Sequence, residues 1–255
     1  MKPKHCSPKQ ALTDSVLTLL ENETGIARFD TWTNIWLLIS KSEHDNEDID
    51  GTFEIQTSKG SVFGYADELS YDKHERGVTF GLVGWTSEQD GPGLFKTYHE
   101  LGGEDLTDLC KRGGRPLIKK IHSIGDDDLF IRAQWENLCG KRGYIHKTMK
   151  SFKRLGIRRP SPLAFACLLD CNLNQGFDGK FGGSKVIEKI GTQDDERATL
   201  CDFLKWRLTV ADKHNFNQKP NGTSRVKMFQ TIFDAGDVDL KDTDVIRKAI
   251  HWRMR

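Results

Sequence analysis

Glu21 closes a stretch in which Leu12, Val16, Leu19 and Leu20 recur at helical spacing, so residues 11–22 are expected to form a helix that ends near the Glu21-Asn22-Glu23-Thr24-Gly25 turn. The helix dipole disfavours a charged carboxylate at that end, which is the condition a general acid needs. Further along, Asp72, His74 and Glu75 lie in a polar loop, residues 70–76, between two segments that read as short strands. A glutamate at a helix end and a carboxylate on a loop of an antiparallel sheet supply the acid and the base of glycoside cleavage. With 37 Asp and Glu in the chain, many such pairs exist, and glutamates end helices for structural reasons too. Spacing alone does not select this chemistry.

The elements that must position these groups follow from the apolar pattern. Residues 29–39 are apolar and aromatic, and the acidic run 43–50 reads as an exposed loop. Residues 53–57 alternate like a strand with Ser58-Lys59-Gly60 as its turn, and 62–69 and 77–85 read as two more short strands. Tyr65, Phe80 and Trp85 could stack on sugar faces, although core packing is the better expectation for most aromatic residues. From Leu94 onward the pattern turns helical, over 94–101, 129–138, 145–155, 162–173, 197–213 and 225–235, with a break at Arg158-Arg159-Pro160-Ser161-Pro162 and a glycine-rich loop at 176–183. The expected fold class is α+β and mainly α-helical, with a small antiparallel β-sheet in the N-terminal part.

The net charge of +1 conceals a division, since residues 1–108 hold 9 Lys and Arg against 20 Asp and Glu, and residues 109–255 hold 29 against 17. This favours either neutralisation between the two parts or an acidic surface facing a cationic ligand, and it argues against a nucleic-acid partner, whose basic surface shows in the total. The basic segment 154–159 reads as a solvated helix end. Neither a phosphate-binding loop nor a GxGxxG motif is present, so no nucleotide cofactor is expected. The six cysteines lack metal-site spacing and are expected to be mostly buried thiols, with no metal bound. The N-terminus lacks the apolar core of a secretory signal, and no window approaches the roughly 20 apolar residues of a membrane span, so no membrane partner is expected. That pattern fits a cytosolic protein, one released by lysis or another export route, or a mature chain shown without its leader.

Several blocks narrow the function. Leu20-Glu21-Asn22 is followed by Phe63-Gly64-Tyr65-Ala66-Asp67-Glu68, then by Arg76-Gly77-Val78-Thr79-Phe80-Gly81-Leu82-Val83-Gly84-Trp85-Thr86-Ser87 and Asp90. Later come Phe130-Ile131-Arg132-Ala133-Gln134, Phe165-Ala166 with Asp170 and Gly176, Phe181-Gly182-Gly183, Phe203-Leu204 with Arg207, Ser224-Arg225-Val226, and 234–240. In this order the blocks resemble the chitosanases of glycoside hydrolase family 46. The resemblance implies a lysozyme-like, two-lobed fold, a single catalytic domain with lobes at 11–110 and 111–255 and the substrate in the cleft between them. It also implies endo-hydrolysis of β-1,4-linked glucosamine polymers with inversion, no cofactor, a polysaccharide as partner, and a monomer acting on extracellular wall polymer. By the same resemblance Glu21 is the general acid, Thr79 helps hold the attacking water, and Asp90 binds a substrate amine, with Tyr65 and His74 also near substrate. Asp170, Arg207 and Arg225 match a buried charged network behind the acid.

The chain departs from the family at the second carboxylate. The family pattern Gly-Asp-Gly-Arg-Gly places the base two positions before the arginine, where this chain has His74, in a loop about three residues longer than usual. Asp72 is the preferred base, Glu75 the next, and His74 could itself act near neutral pH. Inversion needs acid and base about 6.5–9.5 Å apart. Residues 26–62 form a second departure, an insertion before the first sheet strand. These departures leave two alternatives: a muramidase-like peptidoglycan hydrolase, and a wall-polysaccharide-binding protein without catalysis.

Overall fold

The computed structural model describes residues 6–44, 56–57, 60–68, 77–191, 195–214 and 221–250. Asp72, His74 and Glu75, with the rest of their loop and most of the acidic run, lie outside the described residues.

The chain opens with α1 (Pro8–Ala11), α2 (Asp14–Thr24) and α3 (Phe29–His44). A hairpin of β1 (Gln56–Thr57) and β2 (Gly60–Ser61) leads through a 3-10 turn, Val62–Gly64, into a three-stranded antiparallel sheet of β3 (Ala66–Glu68), β4 (Val78–Phe80) and β5 (Trp85–Thr86), in sequence order. Ten further helical segments follow in two stretches. The first holds α4 (Gly91–Glu100), α5 (Thr107–Arg112), α6 (Gly114–Ile124) and α7 (Asp128–Cys139). The second holds α8 (Tyr144–Arg154), α9 (Pro162–Gln175), α10 (Gly183–Ile190), α11 (Glu196–His214), α12 (Asn221–Asp234) and α13 (Thr243–Ile250). With 68% of the described residues in helix, and a two-stranded hairpin and a three-stranded sheet beside them, the fold is α+β and mainly α-helical.

Local chemistry explains the main boundaries. Ser7 and Gln10 form a reciprocal capping box before α1, with Pro8 in its first turn. Asp127 caps α7 by accepting the Leu129 and Phe130 N–H groups, and Ser161 caps α9 by accepting from Ala164, with Pro162 at its first position. Two expected strands are shorter than the sequence suggests. Residues 62–64 turn because the Ser61 hydroxyl accepts the Phe63 N–H at 3.2 Å, which leaves strand only from Ala66. β4 stops at Phe80 because Gly81 and Gly84 take positive φ (69° and 71°) and fold the chain back into β5. The first expected helix is divided, since α1 ends at Ala11 and α2 runs on to Thr24. Five helices, α3, α5, α6, α10 and α13, lie outside the expected set; α6 buries Leu117, Ile121 and Ile124 on one face.

Contacts group the chain into two compact units, residues 1–19 with 39–143, and residues 20–38 with 144–255. The last turn of α2 therefore counts with the second unit, whereas the sheet counts with the first. In the first unit Phe80, Phe95 and Phe130 stack in series, at 5.2 and 6.0 Å between centroids, and Tyr98 meets Phe130 edge-on at 5.4 Å. Phe80 and Trp85 are core residues, and the Trp85 Nε1–H donates to Asn137 Oδ1 at 3.0 Å. In the second unit Trp32 of α3 meets Phe165 of α9 edge-on at 5.7 Å. There Asn34 Nδ2 donates to the carbonyl of Leu240 at 2.8 Å, and the Leu163 N–H donates to that of Val238 at 3.0 Å.

All six cysteines are free thiols and five are buried; burial pushes Cys6 and Cys110 up to about 12, so neither is a nucleophile near neutral pH. Among the described residues no helix is long and apolar enough to cross a membrane.

Gln134 of α7 holds the sheet turn from inside the first unit. It is fully buried, its Oε1 accepts the Leu82 N–H at 2.9 Å, and its Nε2 donates to the carbonyl of Phe63 at 3.0 Å. A side chain at position 81 would put its Cβ 2.7 Å from that Oε1, so a glycine is required there. Gln134→Leu removes both of these buried hydrogen bonds, and urea denaturation should show a loss on the order of 2–4 kcal/mol.

Candidate active site

The second unit carries Glu21. It lies in the last turn of α2, exposed, with no hydrogen bond to its carboxylate among the described residues. The turn is fixed on its inner side: Leu20 and Thr24 are buried, the Thr24 hydroxyl donates to the Leu20 carbonyl at 2.7 Å and accepts the Ile26 N–H at 3.1 Å. The Trp32 Nε1–H then donates to the Ile26 carbonyl at 2.7 Å. A second contact, not foreseen from the sequence, joins Glu23 Oε1 to His146 Nδ1 of α8 at 2.8 Å.

The same unit brings Asp170, Arg207 and Arg225 together from α9, α11 and α12. Arg207 Nη1 donates to one carboxylate oxygen of Asp170 and Arg225 Nε to the other, both at 2.8 Å, with the side chains 0%, 5% and 7% exposed for Asp170, Arg207 and Arg225. Burial by itself would raise the pKa of Asp170, but the two guanidiniums outweigh it and hold the carboxyl below the ordinary aspartate range. Nearby, Asn172 of α9 donates to the Thr148 hydroxyl of α8 at 2.9 Å and accepts the Gly183 N–H at 2.9 Å, which ties the glycine-rich loop to both helices. Asn172 carries no sequence motif of its own; its signal is an amide in an otherwise apolar helix.

The first unit carries Tyr65, Thr79 and Asp90. Tyr65 is half-buried after the 3-10 turn, and its carbonyl accepts the Gly81 N–H at 2.7 Å. Thr79, half-buried, is central in β4, paired with Asp67 of β3 on one side and with Thr86 of β5 on the other. Residues directly opposite in a sheet share a face, so Asp67, Thr79 and Thr86 form one polar row. Asp67 was legible in its block but was not singled out as a site residue. Asp90 precedes α4, and its Oδ1 accepts the Thr86 N–H at 2.7 Å, closing the turn after β5. The residue as a whole is exposed, yet its carboxyl is sheltered in that turn; desolvation raises its pKa above the ordinary aspartate value against the Thr86 and Gly91 N–H groups, which pull it down. Among the described residues no cluster of His, Cys, Asp and Glu could hold a metal ion.

The Asp170 network makes a sharp stability prediction. A carboxyl whose pKa is depressed on folding contributes stability above its unfolded pKa, and that contribution is lost as pH falls through the folded value. Asp170→Ala removes the carboxylate that both buried guanidiniums share, and chemical denaturation near neutral pH should show a loss of roughly 3–5 kcal/mol.

No protein-family model matches the chain. Over its whole length the chain is 28% identical to a chitosanase of Niallia circulans, covering 87% of that protein. Among solved structures it matches the native chitosanase of Bacillus subtilis with a TM-score of 0.61 at 21% identity, over 84% of this chain and 92% of that one. A mutant of that Bacillus subtilis enzyme complexed with 6 GlcN matches with a TM-score of 0.60 at 20% identity, over the same shares of 84% and 92%. The Gynuella sunshinyii family 46 chitosanase, in complex with chitotetraose, matches with a TM-score of 0.58 at 22% identity, over 82% of this chain and 90% of that one. In sequence the chain is thus similar over its whole length to a chitosanase, and in fold it is similar to chitosanase structures, one of them of glycoside hydrolase family 46.

Proposed function

We propose that the protein is an endo-acting glycoside hydrolase that cleaves chitosan, the β-1,4-linked polymer of glucosamine, with inversion at the anomeric carbon. The observation that carries this reading is similarity to a chitosanase along the entire chain, joined to a fold match with structures that hold glucosamine oligomers. Glu21 is the general acid. Its exposed carboxyl, unengaged among the described residues, is available to protonate the leaving oxygen. A carboxylate of the 72–75 loop, Asp72 before Glu75, is the base, and Thr79 holds the water that it activates. Asp90 reads a substrate amine. Asp170 with Arg207 and Arg225 keeps the helices behind the acid in register. By the unit boundaries, the first unit holds 16 Lys and Arg against 21 Asp and Glu, so its field draws a cationic polymer.

New reducing ends should appear from chitosan and not from chitin or peptidoglycan, and Glu21→Gln should lower the rate by about 10²–10⁴-fold. Failure to release ends from chitosan at any mildly acidic pH overturns the reading, and muropeptide release without chitosan cleavage selects a peptidoglycan hydrolase. Proton NMR of the first-formed product reads the stereochemistry; inversion yields the α-anomer. Because desolvation raises the pKa of Asp90, its charge is lost at a higher pH than an ordinary aspartate's. KM for chitosan should therefore rise on acidification before the ordinary aspartate range is reached, and in Asp90→Asn that rise should be absent.

A further inference from the structure

The turn that carries Glu21 is the end of a helix, where the last carbonyls run short of helical partners and the Glu21 carbonyl accepts the Gly25 N–H at 2.7 Å as the helix closes. Its inner side rests on Leu20, Thr24 and, through the Ile26 carbonyl, Trp32. Another side is held, among the described residues, by a contact from another helix, the bond of 2.8 Å between Glu23 Oε1 and His146 Nδ1, whose side chains are 25% and 36% exposed. At 3.6 residues per turn, positions 21 and 23 lie about 200° apart around the helix. A tether at Glu23 therefore resists rotation of the turn about its axis, the motion that would swing the Glu21 carboxyl through the widest arc.

The other end of the tether is rigid. His146 lies two residues before Thr148, which is fully buried and accepts from Asn172 at 2.9 Å. Asn172 lies two residues after Asp170 in α9 and also holds the Gly183 N–H. The His146–Glu23 bond thus joins the turn of Glu21 to the helix that carries the buried Asp170.

We infer that His146 is a positioning residue, which acts through Glu23 to orient the Glu21 carboxyl. The inference rests on the reading of Glu21 as the acid. A partly exposed bond between two side chains contributes little to global stability, so the effect belongs in turnover rather than in the melting temperature.

The test uses the full chain, chitosan oligomers and four variants. His146→Ala should lower kcat about tenfold with KM changed by less than about twofold, since a small misplacement of a reacting group costs rate rather than binding. His146→Asn, whose amide nitrogen can take the place of Nδ1, should restore most of the rate. Glu23→Ala should match His146→Ala, and the double variant should lose no more than either. If His146→Ala does not fold, His146→Gln replaces it, because its amide lies out at the Nε2 position and should give the same loss. Wild-type kcat in His146→Ala, equal loss in the Asn and Ala variants, or losses that multiply in the double variant overturn the inference. If instead the parent protein does not cleave chitosan, or Glu21→Gln keeps its activity, it is the assignment of the acid that fails.

Discussion

A carboxylate with no exposure to water, gripped by two guanidiniums, is the constraint around which the second unit is arranged. α9 is buried at every position from Leu163 to Asn172, so it can carry a charge only if that charge is matched in place. Asp170 is the one ionised side chain on this helix, and its two oxygens each receive one arginine from a different helix. Three helices of low sequence proximity are thereby fixed in rotation as well as in distance. An apolar contact would fix the distance alone, because apolar packing is non-directional. The desolvation of three charges makes the arrangement costly, and its worth lies in allowing only one register of α9, α11 and α12.

The first unit meets an equivalent need with neutral groups. Gln134 stands in a helix and satisfies a donor and an acceptor on the two ends of the sheet turn, while Gly81 lets the backbone approach it. Here the groups to be fixed are the carbonyl of Phe63 and the N–H of Leu82. A side-chain amide offers one donor and one acceptor site at fixed separation, and no charge has to be desolvated. The result fixes the register of β3, β4 and β5, which in turn sets Asp67, Thr79 and Thr86 on one face.

Much of this was legible in the sequence because it rests on local rules. Ser161 before Pro162 and the apolar period of 145–155 each express a capping or burial requirement confined to a few neighbours, whereas Gly81 and Gly84 divide the strand expected at 77–85. The placement of Asp170 with Arg207 and Arg225 came from the ordered family blocks, since nothing local in three separated residues announces an ion triad. The strand expected at 62–69 failed because Ser61 caps a turn, a competition between side chain and sheet that alternation of apolar residues does not reveal. α6 lies outside the expected set although Leu117, Ile121 and Ile124 keep helical spacing; Gly114 and Pro116 stand in its first turn, where such residues are tolerated. The partnership of Glu23 and His146 was out of reach for the same reason as the triad: 123 positions separate them, and each alone looks like a solvated residue.

The division into units also alters what the charge asymmetry means. Counted by halves of the sequence, Glu21 belonged to the acidic part; counted by contacts, it belongs to the unit with 22 Lys and Arg against 16 Asp and Glu. The acid and the carboxylates proposed to read amines are thus carried by units of opposite sign. On the proposed reading a cationic polymer is attracted by the first unit's field and gains nothing from the second's, which leaves the recognition of amines to Asp90 and its neighbours in the first unit. Glu21 is then left with a task that requires orientation more than affinity. That is why the contacts that fix its turn, Thr24 and Trp32 on one side and His146 on the other, matter more to the proposed chemistry than the charge around it.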